Sequence, residues 1–151
     1  AATKFLKLDI KDENLPTEWI RKQILRYEKG SGLCAVLEKS SGKLAGQCGI
    51  MFQEVDGLPE IEVGYHFIPS FWGKGYATEA AAACRDLAFS ADLTESIISI
   101  IDINNIRSQK VAERNGMKRT KQTRWKEFDV YIYRILKEDL PVRQAGWKNK
   151  K

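Results

Sequence analysis

This sequence has little of what metal centres, disulfide scaffolds and membrane spans require. It contains one histidine, His66, so a site built on several histidines is excluded. Its three cysteines, Cys34, Cys48 and Cys84, are widely spaced, odd in number and without a CxxC pair. That pattern fits neither a disulfide framework nor a zinc knuckle, and it points to a reducing, cytoplasmic setting. No apolar run approaches the ~18–20 residues that a spanning helix needs, and the N-terminal residues show no signal-peptide core. Only four prolines occur, and no Pro/Gly-rich linker, repeat or low-complexity segment interrupts the 151 residues. Positive charge is also scarcer than the net +5 suggests. The last nine residues, RQAGWKNKK, hold four basic groups and no acid, so the remaining body is near +1. The basicity is read as a solvated tail over 141–151, following one domain over 1–140.

What is present is a change of period along the chain. Residues 16–29 read as a helix with Trp19, Ile20, Ile24 and Tyr27 on one stripe and Gly30 as its stop. The period of residues 4–10 does not decide between strand and helix. Three strands follow, over 32–39, 44–53 and 60–68, with turns at 40–43 and 54–59. Connections that short join antiparallel neighbours. A loop over 69–77 leads into a helix over 78–90, whose run Ala80–Ala83 makes a slim surface. The segment 95–102, with Ile97, Ile98, Ile100 and Ile101, reads as a strand buried on both faces. A helix over 106–115 and a hairpin over 117–124 and 128–136 complete an αβββαβαββ order, hence a mixed α/β sheet.

The most informative stretch is Trp72-Gly73-Lys74-Gly75-Tyr76-Ala77-Thr78, between a strand and a helix. Glycines there permit unusual φ angles and let backbone N–H groups converge, and a helix N-terminus adds positive potential. Such a place binds phosphate or pyrophosphate; the plain alternative is a strand–helix turn that needs glycine for geometry alone. A P-loop is excluded, since GxxxxGK[ST] is absent. A dinucleotide turn would need Gly or Ala where Thr78 stands, and would open a βαβ unit rather than follow a meander. A coenzyme A pyrophosphate loop is the third reading.

EVGYHFIPSFWGKGYATEA resembles motif A of the GNAT superfamily of acetyl-CoA-dependent N-acetyltransferases, and WGKGYATEA resembles its ribosomal-protein-alanine/serine N-acetyltransferase branch. Downstream, NNIRSQKVAERNGM resembles that branch's N-x-x-S…G-[FM] helix, and the likeness spans about residues 17–137. It implies a mixed, mostly antiparallel sheet with helices on both faces. Two departures stand out. The branch's opening strand, with its T-E-R-L-x-L-R-like phrase, has no counterpart here. The tyrosine that many members place seven residues after the helix asparagine is replaced by Ala112.

The resemblance implies that backbone amides of Gly73, Lys74, Gly75, Tyr76, Ala77 and Thr78 hold the pyrophosphate. It implies that Tyr65, His66 and Phe67 pair by main chain with the pantetheine arm, in a gap between the third and fourth strands. Asn105 would bond a pantetheine amide, and Ser108 would lie near the thiol, either as the proton donor to the leaving thiolate or as a helix-capping serine. Direct transfer to an amine in a ternary complex needs an oxyanion donor, expected among the amides of 66–68, and a base. Strand alternation puts Glu62 on the face of His66, about 13 Å along, a spacing suited to a base acting through water; the plain alternative is a solvated strand carboxylate. The expected co-substrate is acetyl-CoA, with no metal. The acceptor is a protein N-terminus or a small amine, with ribosome association conceivable, no membrane partner, and monomer and homodimer both open. The alternatives are a non-catalytic coenzyme A-binding module and a dinucleotide-binding oxidoreductase.

Overall fold

The computed structural model describes residues 15–140; the 4–10 segment and the basic tail lie outside them. Helix α1 (Leu15–Glu28) precedes strands β1 (Gly32–Leu37), β2 (Leu44–Val55) and β3 (Leu58–Phe67). Helix α2 (Tyr76–Ser90), strand β4 (Ser96–Asp102), helix α3 (Ile106–Arg114) and the hairpin β5 (Lys118–Trp125) and β6 (Phe128–Leu136) follow. The six strands run in the order β1-β2-β3-β4-β6-β5. All neighbours are antiparallel except β3 and β4. The expected mixed, mostly antiparallel sheet is therefore what forms.

Several element boundaries differ from the sequence reading, and two of the differences have a clear physical reason. The turn expected over 54–59 shrinks to Asp56-Gly57, with φ of 52° and 76°. Positive φ at both central residues is the type I′ geometry that matches the twist of paired strands, and Asp-Gly favours it. Pro59 sits inside β3 opposite Glu54, near the strand's first residue, where a missing N–H is tolerated. The helix expected from Thr78 begins at Tyr76, so Tyr76, Ala77 and Thr78 belong to its first turn, with Gly75 as N-cap.

Helices cover both faces. Val63, Tyr65 and Phe67 point to the face carrying α2 and α3, where Cys48, Ala81, Ala88, Phe89, Ile97, Ala112, Met117, Tyr133 and Ile135 build the main core. On the other face α1 lies over β1, held by Gln23, whose carbonyl accepts the Leu33 N–H at 3.3 Å. A second cluster of Val55, Ile98, Val130 and Ile132 fills that same face under β4 and β6. Here the tip of the β2–β3 hairpin meets β5: the Trp125 indole donates to the Glu54 carbonyl at 2.9 Å, and Asp56 accepts from Lys121 and Thr123. Trp125 and Phe128 thus pack against this cluster. Segment 96–102 is apolar on both sides because both sides are covered, with Ile97 and Ile98 fully buried.

Candidate functional site

The seam between β3 and β4 holds only one register pair, Glu62 with Ile98. Beyond it, toward the C-terminal ends of both strands, side chains take over from the ladder. The Ser99 hydroxyl donates to the Val63 carbonyl at 2.8 Å, and a Glu62 carboxylate oxygen accepts the Ile100 N–H at 3.4 Å. Past these contacts no register pair joins Gly64–Phe67 of β3 to Ile101–Asp102 of β4, and the seam between these stretches is the candidate cleft.

Alternation decides which main-chain groups face that cleft. The Val63 carbonyl points toward β4, whereas the Ile68 N–H donates toward β2, to the Ala45 carbonyl at 2.9 Å. With a period of two, Tyr65 and Phe67 present their amide groups to the cleft, and His66 presents its own to β2. The expectation that His66 pairs by main chain with a cofactor is corrected by this parity, as is Ile68 as an oxyanion donor. The His66 imidazole instead lies on the α1 face, half-buried, and burial holds its pKa below the usual histidine value. There it borders an apolar groove of about 420 Å³ with Trp19, Ile20, Ile24, Leu33 and Ile68.

The loop between β3 and α2 is fixed at both ends. The Trp72 indole donates to the Phe67 carbonyl at 2.8 Å, tying the loop to the end of β3, and the Arg107 guanidinium stacks 4.2 Å from the Trp72 ring. The Tyr76 hydroxyl donates to Glu38 at 2.6 Å, which fastens the start of α2 to the β1–β2 hairpin. Between these anchors Gly73 and Gly75 have φ of 75° and 84°, left-handed values that L side chains rarely adopt. A Cβ at either would meet nothing within 4 Å, so the space in front of the loop is open. Gly75 caps α2 without a side-chain hydrogen bond, and Glu79 supplies the first helical N–H to find a partner, the Gly75 carbonyl at 3.0 Å. The preceding N–H groups of the helix start are left for another acceptor, at the positive end of its dipole.

Glu62 is buried rather than solvated. Its second oxygen accepts from the Gln53 amide at 2.7 Å. Burial pushes its pKa up, opposed by the Gln53 and Ile100 hydrogen bonds and by the charges of Lys126 and Arg26. A carboxyl held this way exchanges protons closer to neutrality than an ordinary glutamate. Ser108 is not the cap of α3. Asn105 is, accepting the Ser108 N–H through Oδ1 at 3.2 Å and keeping its amide nitrogen as a donor. The Ser108 carbonyl accepts from the Tyr65 hydroxyl at 2.9 Å, a bridge from β3 to α3 that the sequence does not signal. Ala112 is buried in the core. No cluster of three or more potential metal ligands exists among the described residues, and no helix there is long and apolar enough to cross a membrane.

Residues 3–118 match the acetyltransferase (GNAT) domain family. The chain is 36% identical over 126 residues to YkkB of Bacillus subtilis, described as an uncharacterized protein, spanning 82% of this chain and 73% of that one. A GNAT-family acetyltransferase from Bacillus anthracis superposes with a TM-score of 0.72 at 26% identity, over 91% of this chain and 82% of that one. The fold is also that of the ribosomal-protein-S5-alanine acetyltransferase from Vibrio fischeri, with a TM-score of 0.66 at 18% identity over 84% and 73% of the two chains. With an amide-lined helix start beside an unzipped parallel seam, and a family match over most of its length, this chain belongs to the GNAT acetyltransferases.

Proposed function

We propose that this chain transfers an acetyl group from acetyl-CoA to a primary amine by direct attack within a ternary complex. The observation that carries the reading is the open, left-handed glycine bend at the start of α2, held against the end of β3 by Trp72. The amides from Gly73 to Thr78 would receive the pyrophosphate, and Tyr65 and Phe67 would pair with the pantetheine arm along the unpaired edge of β3. The Asn105 amide nitrogen, free of its capping duty, would donate to the same arm.

The chemistry then falls to few groups. A main-chain N–H on the cleft-facing edge of β3 supplies a donor for the developing oxyanion. Glu62 and His66 point to the opposite face of the sheet from α2, so the acceptor amine would approach from the α1 side. Glu62 removes the ammonium proton through water. With Ala112 in place of a tyrosine, Ser108 or solvent protonates the leaving thiolate. Glycine chemistry makes the direct test. Acetyl-CoA should raise the melting temperature of the protein, and Gly75→Val should erase that rise, because a β-branched residue cannot hold φ near 84°. An undiminished shift in the variant sinks the loop assignment. Thiol release on an amine panel, N-terminal peptides included, then separates an enzyme from a module that binds coenzyme A without turnover.

A further inference from the structure

Two sulfur atoms that the acetyl-transfer chemistry does not use lie against each other. Cys48 on β2 and Cys84 on α2 are 36 positions apart in sequence, and their Sγ atoms are 3.6 Å apart. Cys48 is 2% exposed, whereas Cys84 is only half-buried, so a small solute can reach Cys84 first. The helix comes this near because its sheet-facing side is built of small residues, with Ala81 and Ala88 buried against the sheet. Cys34 is exposed on the edge strand β1. From this geometry we propose that Cys48 and Cys84 are a peroxide-sensitive thiol pair that closes to a disulfide between β2 and α2.

The step balances with a hydroperoxide as oxidant. The Cys84 thiolate attacks one peroxide oxygen, the O–O bond breaks, and hydroxide leaves to take up a proton. Cys84 then carries S–OH. The Cys48 sulfur attacks the Cys84 sulfur, the S–O bond breaks, and the hydroxide released takes the Cys48 proton as water. Two thiols and one hydrogen peroxide become one disulfide and two waters, with two electrons passing from sulfur to oxygen. Closure to a bond of about 2.05 Å needs an inward movement of roughly 1.5 Å shared between the two side chains. The protonation pattern has the right sense. The contact with Cys48 holds the Cys84 thiol below its ordinary pKa, making it the attacking partner, while the same contact and then burial hold Cys48 protonated until it resolves.

The inference stands apart from the acyl-transfer reading, because its test reads mass and not activity. A Cys34→Ser protein, which lacks the exposed thiol that could pair between molecules, is treated in the native state with hydrogen peroxide. Its mass should fall by about 2 Da. Non-reducing trypsin digestion should join peptide 44–74, which holds Cys48, to peptide 75–85, which holds Cys84. Dithiothreitol should separate them again. Gains of about 16, 32 or 48 Da on peptide 75–85 with no joined peptide would overturn the proposal. So would a joined peptide that forms only in denatured protein, or an unchanged native mass under conditions that fully oxidise added glutathione. If Cys34→Ser does not fold, the same digestion of wild-type protein decides, with peptide 30–39 followed separately.

Discussion

Strand β4 has two edges, and they differ sharply. Along β6 it is zipped for seven consecutive pairs, from Ser96 with Leu136 to Asp102 with Val130. Along β3 it is paired once, Glu62 with Ile98. The residues of β4 are the same on both edges, so propensity does not explain the difference. Direction does. The β6 edge is antiparallel and sits beside a hairpin closed by a two-residue turn, whereas the β3 edge is parallel and reached through a long crossover. Its ladder gives way where two side chains, Ser99 and Glu62, take the backbone partners. One edge is a continuous ladder, and the other stops after a single pair.

Three substitutions test that division, and the largest effect is expected at the carboxylate. Glu62→Gln should lower kcat by about 10²–10⁴-fold, the usual worth of a positioned base. A base acts as its carboxylate, and burial raises the Glu62 pKa, so wild-type kcat/KM should climb with pH along a limb displaced above the ordinary carboxylate range. That limb should vanish in Glu62→Gln; its persistence would assign the titration to the acceptor amine. On the zipped edge, Ile135→Ala should cost about 2–5 kcal/mol of stability by opening a core cavity, with acetyl-CoA affinity of the folded protein unchanged. Calorimetry and equilibrium binding on the same sample check both halves, and a lost affinity would erase the contrast between the edges. The smallest change is expected from Ser99→Ala. It leaves the Val63 carbonyl without its partner, at about 1–3 kcal/mol, and should raise KM for acetyl-CoA while sparing kcat. A change in kcat with KM untouched would mean that Ser99 does not shape the cleft.

Much of this arrangement was legible in the amino-acid order. The meander, the crossover and the final hairpin follow from where period-two runs meet turn residues. The glycine bend follows from residue types whose backbone freedom has one use at a helix start. The unpaired seam was implied only by resemblance, because no local pattern reports how two distant strands diverge. Trp72 reaching the Phe67 carbonyl, Tyr76 reaching Glu38, and Tyr65 reaching Ser108 were equally invisible, since each depends on tertiary placement. Glu62 illustrates the limit best. Alternation gives its face, but its burial and its bonds to Gln53 and to Ile100 on β4 depend on tertiary placement.

The glycines of this chain also fall into two kinds, with a consequence for chemical synthesis. Gly49 leaves no room for a methyl group, since one there would run into the Gly32 carbonyl. Gly75 has ample room and is barred to L-residues only by the sign of its torsion. D-alanine, which peptide ligation can introduce, favours that sign. A residue of the opposite hand therefore relieves the torsional bar at 75, whereas an L-methyl group at 49 fails by collision: handedness is the gatekeeper at one position and volume at the other.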